Sequence, residues 1–162
     1  MEITIRRITP GDNAAIATII RDTLTEFGAN KPGTVFYDES TDHLFELFGA
    51  EGSVYLVAER DGRLLGGGGI YPTEGLPHGT AELVKMYLLP EARGIGLGKK
   101  MMEAAFEEAK KMGYTALYLE TMPELRKAIS AYEKAGFSYL PGPLGNSTHT
   151  GCDLWMLKSL EA

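Results

Sequence analysis

Cysteine is nearly absent from this chain. Cys152 is the only one in 162 residues, so no intrachain disulfide can form and a reducing setting fits. Histidine is scarce too: His43, His78 and His149 lie far apart and share no metal-ligand spacing, so no metal site is expected. Positive charge is in deficit, with 16 Lys and Arg against 22 Asp and Glu, a formal net charge of -6 and a pI of about 5.1. A phosphate backbone or an anionic membrane surface needs the opposite balance, which argues against nucleic acid and membrane as partners. No apolar run approaches the roughly 20 residues of a membrane span. The opening MEITIRRITPGDN carries charges at positions 2, 6 and 7 with no apolar stretch behind them, unlike a signal peptide. A cytoplasmic location is the expectation. Repeats and low-complexity linkers are missing as well.

What is present is enough for a core: 44% hydrophobic residues in a length that suits one domain over residues 1–162. Ile3, Ile5 and Ile8 suggest a strand at about 2–8. Pro10 and Asp12 open a helix reaching about Phe27, with Ile16, Ile19, Ile20 and Leu24 at helical spacing. A shorter helix is expected over Ser40 to Phe48. Val54–Val57 reads as a strand, Asp61-Gly62 as a hairpin turn, and Leu64–Tyr71 and about Thr80–Leu89 as the rest of a meander. A long helix follows from about Gly96 to Met112, with Gly113 at its C-terminal cap. Leu117–Leu119 is a further strand. Thr121-Met122-Pro123-Glu124 matches a capping box that would start another helix, ending at Gly136. Phe137–Leu140 and Asp153–Lys158 are the last strands. The order describes an α/β domain, a mixed sheet with helices on its faces.

The sharpest feature is Arg93-Gly94-Ile95-Gly96-Leu97-Gly98, between a hydrophobic strand and a helix. Glycines at alternate positions let backbone approach an anion closely. The first-turn N–H groups of the following helix would point at that anion with the helix dipole behind them. Arg93 and Lys99 flank the loop with positive charge, and a pyrophosphate suits the arrangement. Two familiar phosphate motifs fail. A P-loop would need glycine where Arg93 stands and Ser or Thr where Lys100 stands, and a GxGxxG fingerprint from Gly94 would need glycine at Lys99.

The segment Glu82 to Gly98 resembles motif A of the GNAT superfamily of N-acetyltransferases, Arg/Gln-x-x-Gly-x-Gly/Ala, which Arg93, Gly96 and Gly98 match. Downstream, Ala128-Ile129-Ser130-Ala131-Tyr132-Glu133-Lys134-Ala135-Gly136-Phe137 is similar to that family's Ala-x-x-x-Tyr-x-Lys-x-Gly-Phe element. The resemblance implies a GNAT acyl-CoA N-acyltransferase fold: a mostly antiparallel central sheet, splayed into a V, with helices on both faces. It implies acetyl-CoA as donor, with no metal. The backbone of Met86 and Leu88 would pair with the pantetheine arm, and the amides from Arg93 through Gly94, Ile95, Gly96, Leu97 and Gly98 to Lys99 would hold the pyrophosphate. Leu125 stands where many members carry an asparagine near the pantetheine.

The same resemblance makes Tyr132 the candidate acid beside the coenzyme sulfur and the Leu88 N–H the oxyanion donor. Glu82 is the candidate base. Four residues before Met86 on a strand of period two, it would share the face of Met86 and look into the acceptor pocket; binding the substrate is its other role. Gly66–Gly69 marks either a close approach or a bulge. Cys152 with His149 could form a nucleophilic pair, or Cys152 could be a small buried hydrophobe. The expected reaction is N-acetylation of a primary amine on a small molecule or peptide by direct attack in a ternary complex. A non-catalytic acyl-CoA sensor and a nucleotide-binding module are the rivals. Arg21 and Lys31 are candidate attractors of an anionic acceptor group, the acidic net charge points toward cationic acceptors, and strand edges near the C-terminus leave room for a homodimer.

Overall fold

A computed structural model describes residues 2–145 and 151–161. Among these residues, seven strands join one sheet in the order β1-β2-β3-β4-β5-β7-β6: β1 (Thr4–Arg7), β2 (Val54–Arg60), β3 (Arg63–Tyr71), β4 (Thr80–Leu88), β5 (Ala116–Thr121), β6 (Ser138–Leu140) and β7 (Leu154–Ser159). Only the β4–β5 contact is parallel. Four α-helices cover it: α1 (Asn13–Glu26), α2 (Leu44–Leu47), α3 (Leu97–Lys111) and α4 (Arg126–Lys134). The mixed architecture expected from the sequence is present.

Two apolar clusters sit on opposite faces of the sheet. Leu97, Met101, Ala105 and Ala109 of α3 pack with Leu56, Leu83, Leu117, Leu119 and Met156. Ile16, Ile19, Ile20 and Leu24 of α1 pack with Leu44, Phe48, Tyr55 and Val57. Helix α4 and its two flanking residues touch both clusters, with Leu125 and Ala128 on the α1 side and Tyr132 and Ala135 on the α3 side. The helix therefore lies where the two faces of the sheet meet.

Two local expectations need correction. The helix expected over Ser40–Phe48 is a 3-10 turn, Glu39–Asp42, followed by the single turn α2. His43 at φ -135°, ψ 46° interrupts it, and the Asn13 side chain accepts the Phe45 N–H at the new start. The capping box at Thr121–Glu124 does not form. Thr121 stays in β5, opposite Leu154, with its carbonyl accepting the Asp153 N–H, and α4 begins only at Arg126 after Leu125. Sheet pairing outweighs the local capping preference.

The start of α1 is tied to the sheet edge by charge. Arg6 makes a bidentate pair with Asp12 at 2.8 and 3.1 Å and bonds Glu59 at 2.7 Å, while Asp12 also accepts the Thr9 N–H. The Arg6 guanidinium holds the Asp12 carboxyl below its ordinary range. Asp12→Ala should cost about 2 kcal/mol in chemical denaturation. Because the folded pKa is depressed, this stabilisation is complete above the ordinary carboxylate pKa of about 4 and is lost as pH falls through the folded value. The melting temperature of Asp12→Asn should accordingly decline less steeply than wild type in acid.

Candidate active site

Strands β4 and β5 begin side by side and then part. Their ladder runs from Thr80 opposite Ala116 to Glu82 opposite Tyr118 and goes no further. Beyond it lies a cavity of about 430 Å3, lined by Glu82 to Leu88 on one arm and Glu120 to Met122 on the other. Residues of the glycine loop and of α4 close its two sides. A space of this size is in the range of small-molecule sites.

The parting coincides with a bulge. Lys85 is in the left-handed region, φ 52°, and the register slips so that Lys85 and Met86 together oppose Gly68. The Tyr55 hydroxyl donates to the Lys85 carbonyl at 2.7 Å. One extra residue inverts the alternation of side chains. Ala81, Leu83, Met86 and Leu88 belong to the α3 face, and Val84 and Tyr87 to the α1 face. Glu82 therefore shares a face with Tyr87, not with Met86, and the period-two expectation for Glu82 and Met86 is overturned by the bulge.

Gly66–Gly69 is the other half of this device. A Cβ would meet the Tyr87 carbonyl at 2.3 Å from Gly66, Tyr55 at 2.6 Å from Gly67 and Gly69, and Met86 Cε at 2.4 Å from Gly68. The run allows β3 to approach a bulged neighbour closely, and none of the four lines the cavity. A role for it in acceptor contact is not supported.

The glycine loop stands at one end of the cavity. Gly94 and Gly96 have φ of 77° and 82°, which only glycine adopts readily, and open space lies beside both. Helix α3 starts at Leu97 with no side-chain cap and no acidic residue in its first turn, so its first amides remain available to an anion. Leu97 is buried as an anchor, whereas Ile95 and Lys99 are exposed. Arg93 departs from expectation. Its guanidinium binds Glu26 at 2.7 and 2.9 Å and the Leu88 carbonyl at 2.9 and 3.2 Å, and it stacks over Phe27. Its amide already donates to the Pro90 carbonyl. Arg93 thus fastens the loop to α1 and β4, with four of its five guanidinium N–H donors used.

Leu88 is oriented by the same contacts. The Leu89 N–H donates to the Leu65 carbonyl, so backbone alternation turns the Leu88 N–H away from β3 toward the split. Tyr132 lines the same cavity from α4. Gly136, at φ 100°, reverses the chain so that the Phe137 N–H returns to the Tyr132 carbonyl and the two rings meet edge to face at 5.8 Å. Burial pushes the Tyr132 phenol up to about 12. Glu82 is 4% exposed and accepts the Thr73 hydroxyl at 2.5 Å. Cys152 also lines the cavity, but burial, then the nearby carboxylates of Glu120 and Glu82, push its thiol up to about 12. A thiol so hard to ionise is a poor nucleophile, and His149, its suggested partner, lies outside the described residues.

Thr121, Lys85 and Glu120 are among the cavity residues that the sequence reading did not assign to a site. Thr121 is buried, and its hydroxyl has no hydrogen-bond partner among the described residues. Lys85 and Glu120 line the cavity from the two arms. The glycine run opposite Lys85 was the available signal for the bulge. Arg21 and Lys31, by contrast, are taken up by Asp42 and Glu124.

A split sheet, a glycine loop at an uncapped helix and a tyrosine closed off by Gly-Phe form one arrangement, and residues 16–137 match the model of the Acetyltransferase (GNAT) family. The chain belongs to that family. Membership makes this GNAT protein an acetyl-CoA-dependent acyltransferase. It is 42% identical to the uncharacterized N-acetyltransferase YjgM of Escherichia coli K12 over 96% of this chain and 94% of that one. It is 35% identical to an IAA acetyltransferase of Azospirillum brasilense over 76% of this chain and 80% of that one. The fold is that of a GNAT acetyltransferase from Staphylococcus aureus Mu50, with TM-score 0.88 at 18% identity, covering 99% and 100% of the two chains. The PaiA N-acetyltransferase of Thermoplasma acidophilum, solved with coenzyme A, gives TM-score 0.76 at 22% identity over 98% and 99%.

Gly96→Ala places a Cβ in left-handed backbone at the start of α3, at a cost of about 1 kcal/mol or more. Coenzyme A affinity, measured by isothermal titration, should fall by about tenfold or more, with a much smaller change in melting temperature.

Proposed function

We propose that this GNAT protein moves the acetyl group of acetyl-CoA to a primary amine of a small molecule or peptide by direct attack in a ternary complex. The observation that carries this reading is the single cavity joining the glycine loop to Tyr132 and Glu82 through the split. The residues present suit the donor. Uncapped amides of α3 suit the pyrophosphate, and the orphaned Thr121 hydroxyl offers a hydrogen bond to a polar arm in the split. In this reading Gly94 to Lys99 hold the pyrophosphate, Met86 and Leu88 border the pantetheine arm, and Arg93 positions the loop.

The donor supplies a thioester carbonyl, and the chain supplies the rest. Glu82 takes the proton of the attacking amine, directly or through water, with Thr73 fixing its orientation. The Leu88 N–H stabilises negative charge on the carbonyl oxygen. Tyr132 stabilises the departing thiolate. A thiol has a pKa near 8.5, so a phenol near 12 donates a hydrogen bond rather than giving up its proton. Cys152 stays protonated and forms no acyl-enzyme.

Thiol release from acetyl-CoA across a panel of primary amines tests the reading. Tight coenzyme A binding with no release for any amine would count against it and favour a sensor. Tyr132→Phe should keep coenzyme A affinity and lower kcat about 10- to 100-fold, the worth of a hydrogen bond to a charged group. Glu82→Gln should lower kcat/KM about 100-fold and remove the acidic limb of the pH–rate profile. A rise in KM alone would assign Glu82 to substrate binding.

A further inference from the structure

The bulge that opens the split also buries a cation. The Lys85 side chain is 5% exposed, yet Lys85 lines the cavity, near enough to Glu82 to feel its charge. Its one hydrogen bond among the described residues goes to Asp38 Oδ2 at 3.4 Å. An ammonium has three donors, and a charge-assisted bond normally closes to about 2.7–2.9 Å. A buried cation held so loosely keeps donor capacity for another acceptor, and leaving that capacity unused in a desolvated place is costly. Desolvation pulls its pKa down, and Asp38 and Glu82 oppose that shift.

Asp38 and Glu82 bear on that ammonium, and the wall of carboxylates continues from Glu82 on β4 to Glu120 on β5. Glu82 and Glu120 face the cavity from β4 and β5, with Glu120 accepting the Tyr118 hydroxyl at 2.8 Å. Glu120, Glu82, Asp153 and Asp38 all bear on the Cys152 thiol, whose main perturbation is burial, so they surround one region. A purely cationic acceptor such as a polyamine would meet these carboxylates but also the Lys85 ammonium. A molecule with an amine at one end and an anionic oxygen at the other meets opposite charge at both.

Building on the acyltransfer reading above, we propose that the acceptor is a small amino acid-like molecule, its carboxylate received by Lys85 and its amine by the wall formed by Glu82 and Glu120. Lys85 is then a specificity-determining residue of the acceptor site, and Asp38 is its partner when that site is empty.

Matched pairs test this: L-amino acids, β-alanine and 4-aminobutyrate against their own amides. Wild type should show a KM about tenfold or more lower for the acids. Lys85→Met should erase that difference while still binding coenzyme A, and Asp38→Asn should keep it. Propionate, but not propionamide, should compete with the amine acceptor in wild type, a measurement that needs no variant. Equal use of acids and amides, a preference that survives Lys85→Met, or its loss in Asp38→Asn as fully as in Lys85→Met would overturn the assignment. If no amine is turned over at all, the acyltransfer reading fails separately. The Lys85 assignment is then decided by whether the acids, and not the amides, raise the melting temperature of the coenzyme A complex in wild type but not in Lys85→Met.

Discussion

One residue of left-handed backbone in the middle of the central strand organises this molecule. Lys85 at φ 52° costs about 1–2 kcal/mol relative to ordinary strand geometry, and the surroundings make the cost bearable. Tyr55 holds the Lys85 carbonyl from below, and the glycines of β3 leave room for the displaced chain. Past this point β4 no longer runs alongside β5, and the cavity exists because the two strands have parted. The same extra residue sends Met86 and Leu88 to one face and Tyr87 to the other, so the two ends of the cavity are lined from opposite faces of one strand.

The loop that follows depends on a second constraint. Two left-handed glycines carry the chain from β4 into α3, and such a loop would move freely if nothing held its base. Arg93 provides that hold by joining Glu26 at the end of α1 to the Leu88 carbonyl at the end of β4. The charge is spent inside the protein, where the guanidinium also depresses the Glu26 carboxyl. In the proposed reading the anion-binding power rests with backbone amides, which carry partial charges fixed in direction and need no side-chain ordering when a phosphate arrives.

Burial also sorts the chemistry of the polar groups in the cavity. It raises both the Tyr132 phenol and the Cys152 thiol toward 12, so both are neutral donors at physiological pH. A neutral phenol is what a departing thiolate needs nearby, and a neutral thiol cannot attack a thioester. One physical effect therefore favours direct transfer and disfavours a covalent intermediate. In the proposed reading no base has to be assigned to Cys152, and Glu82 serves the amine.

The glycine loop and its helix could be read from the sequence and the polar groups of the split could not, for a reason visible in the residues. Phosphate recognition by backbone requires glycine at particular positions, and those glycines stand together at 94, 96 and 98, followed by a helical pattern. The Gly136-Phe137 step behind Tyr132 is likewise local, because a helix ending and its ring contact lie within six residues. The split draws Glu82, Lys85, Glu120 and Cys152 from three strands and their flanks, and Asp38 from a 3-10 loop. Nothing about a lysine in Leu83-Val84-Lys85-Met86-Tyr87 announces its place, since period-two reading puts it on the face of Leu83. The bulge turns it toward Asp38 instead, and the bulge arises from a long-range fit between β4 and the glycine strand. A site built from side chains that tertiary register brings together leaves no spacing to find, whereas a site built from backbone writes its requirement into consecutive residues.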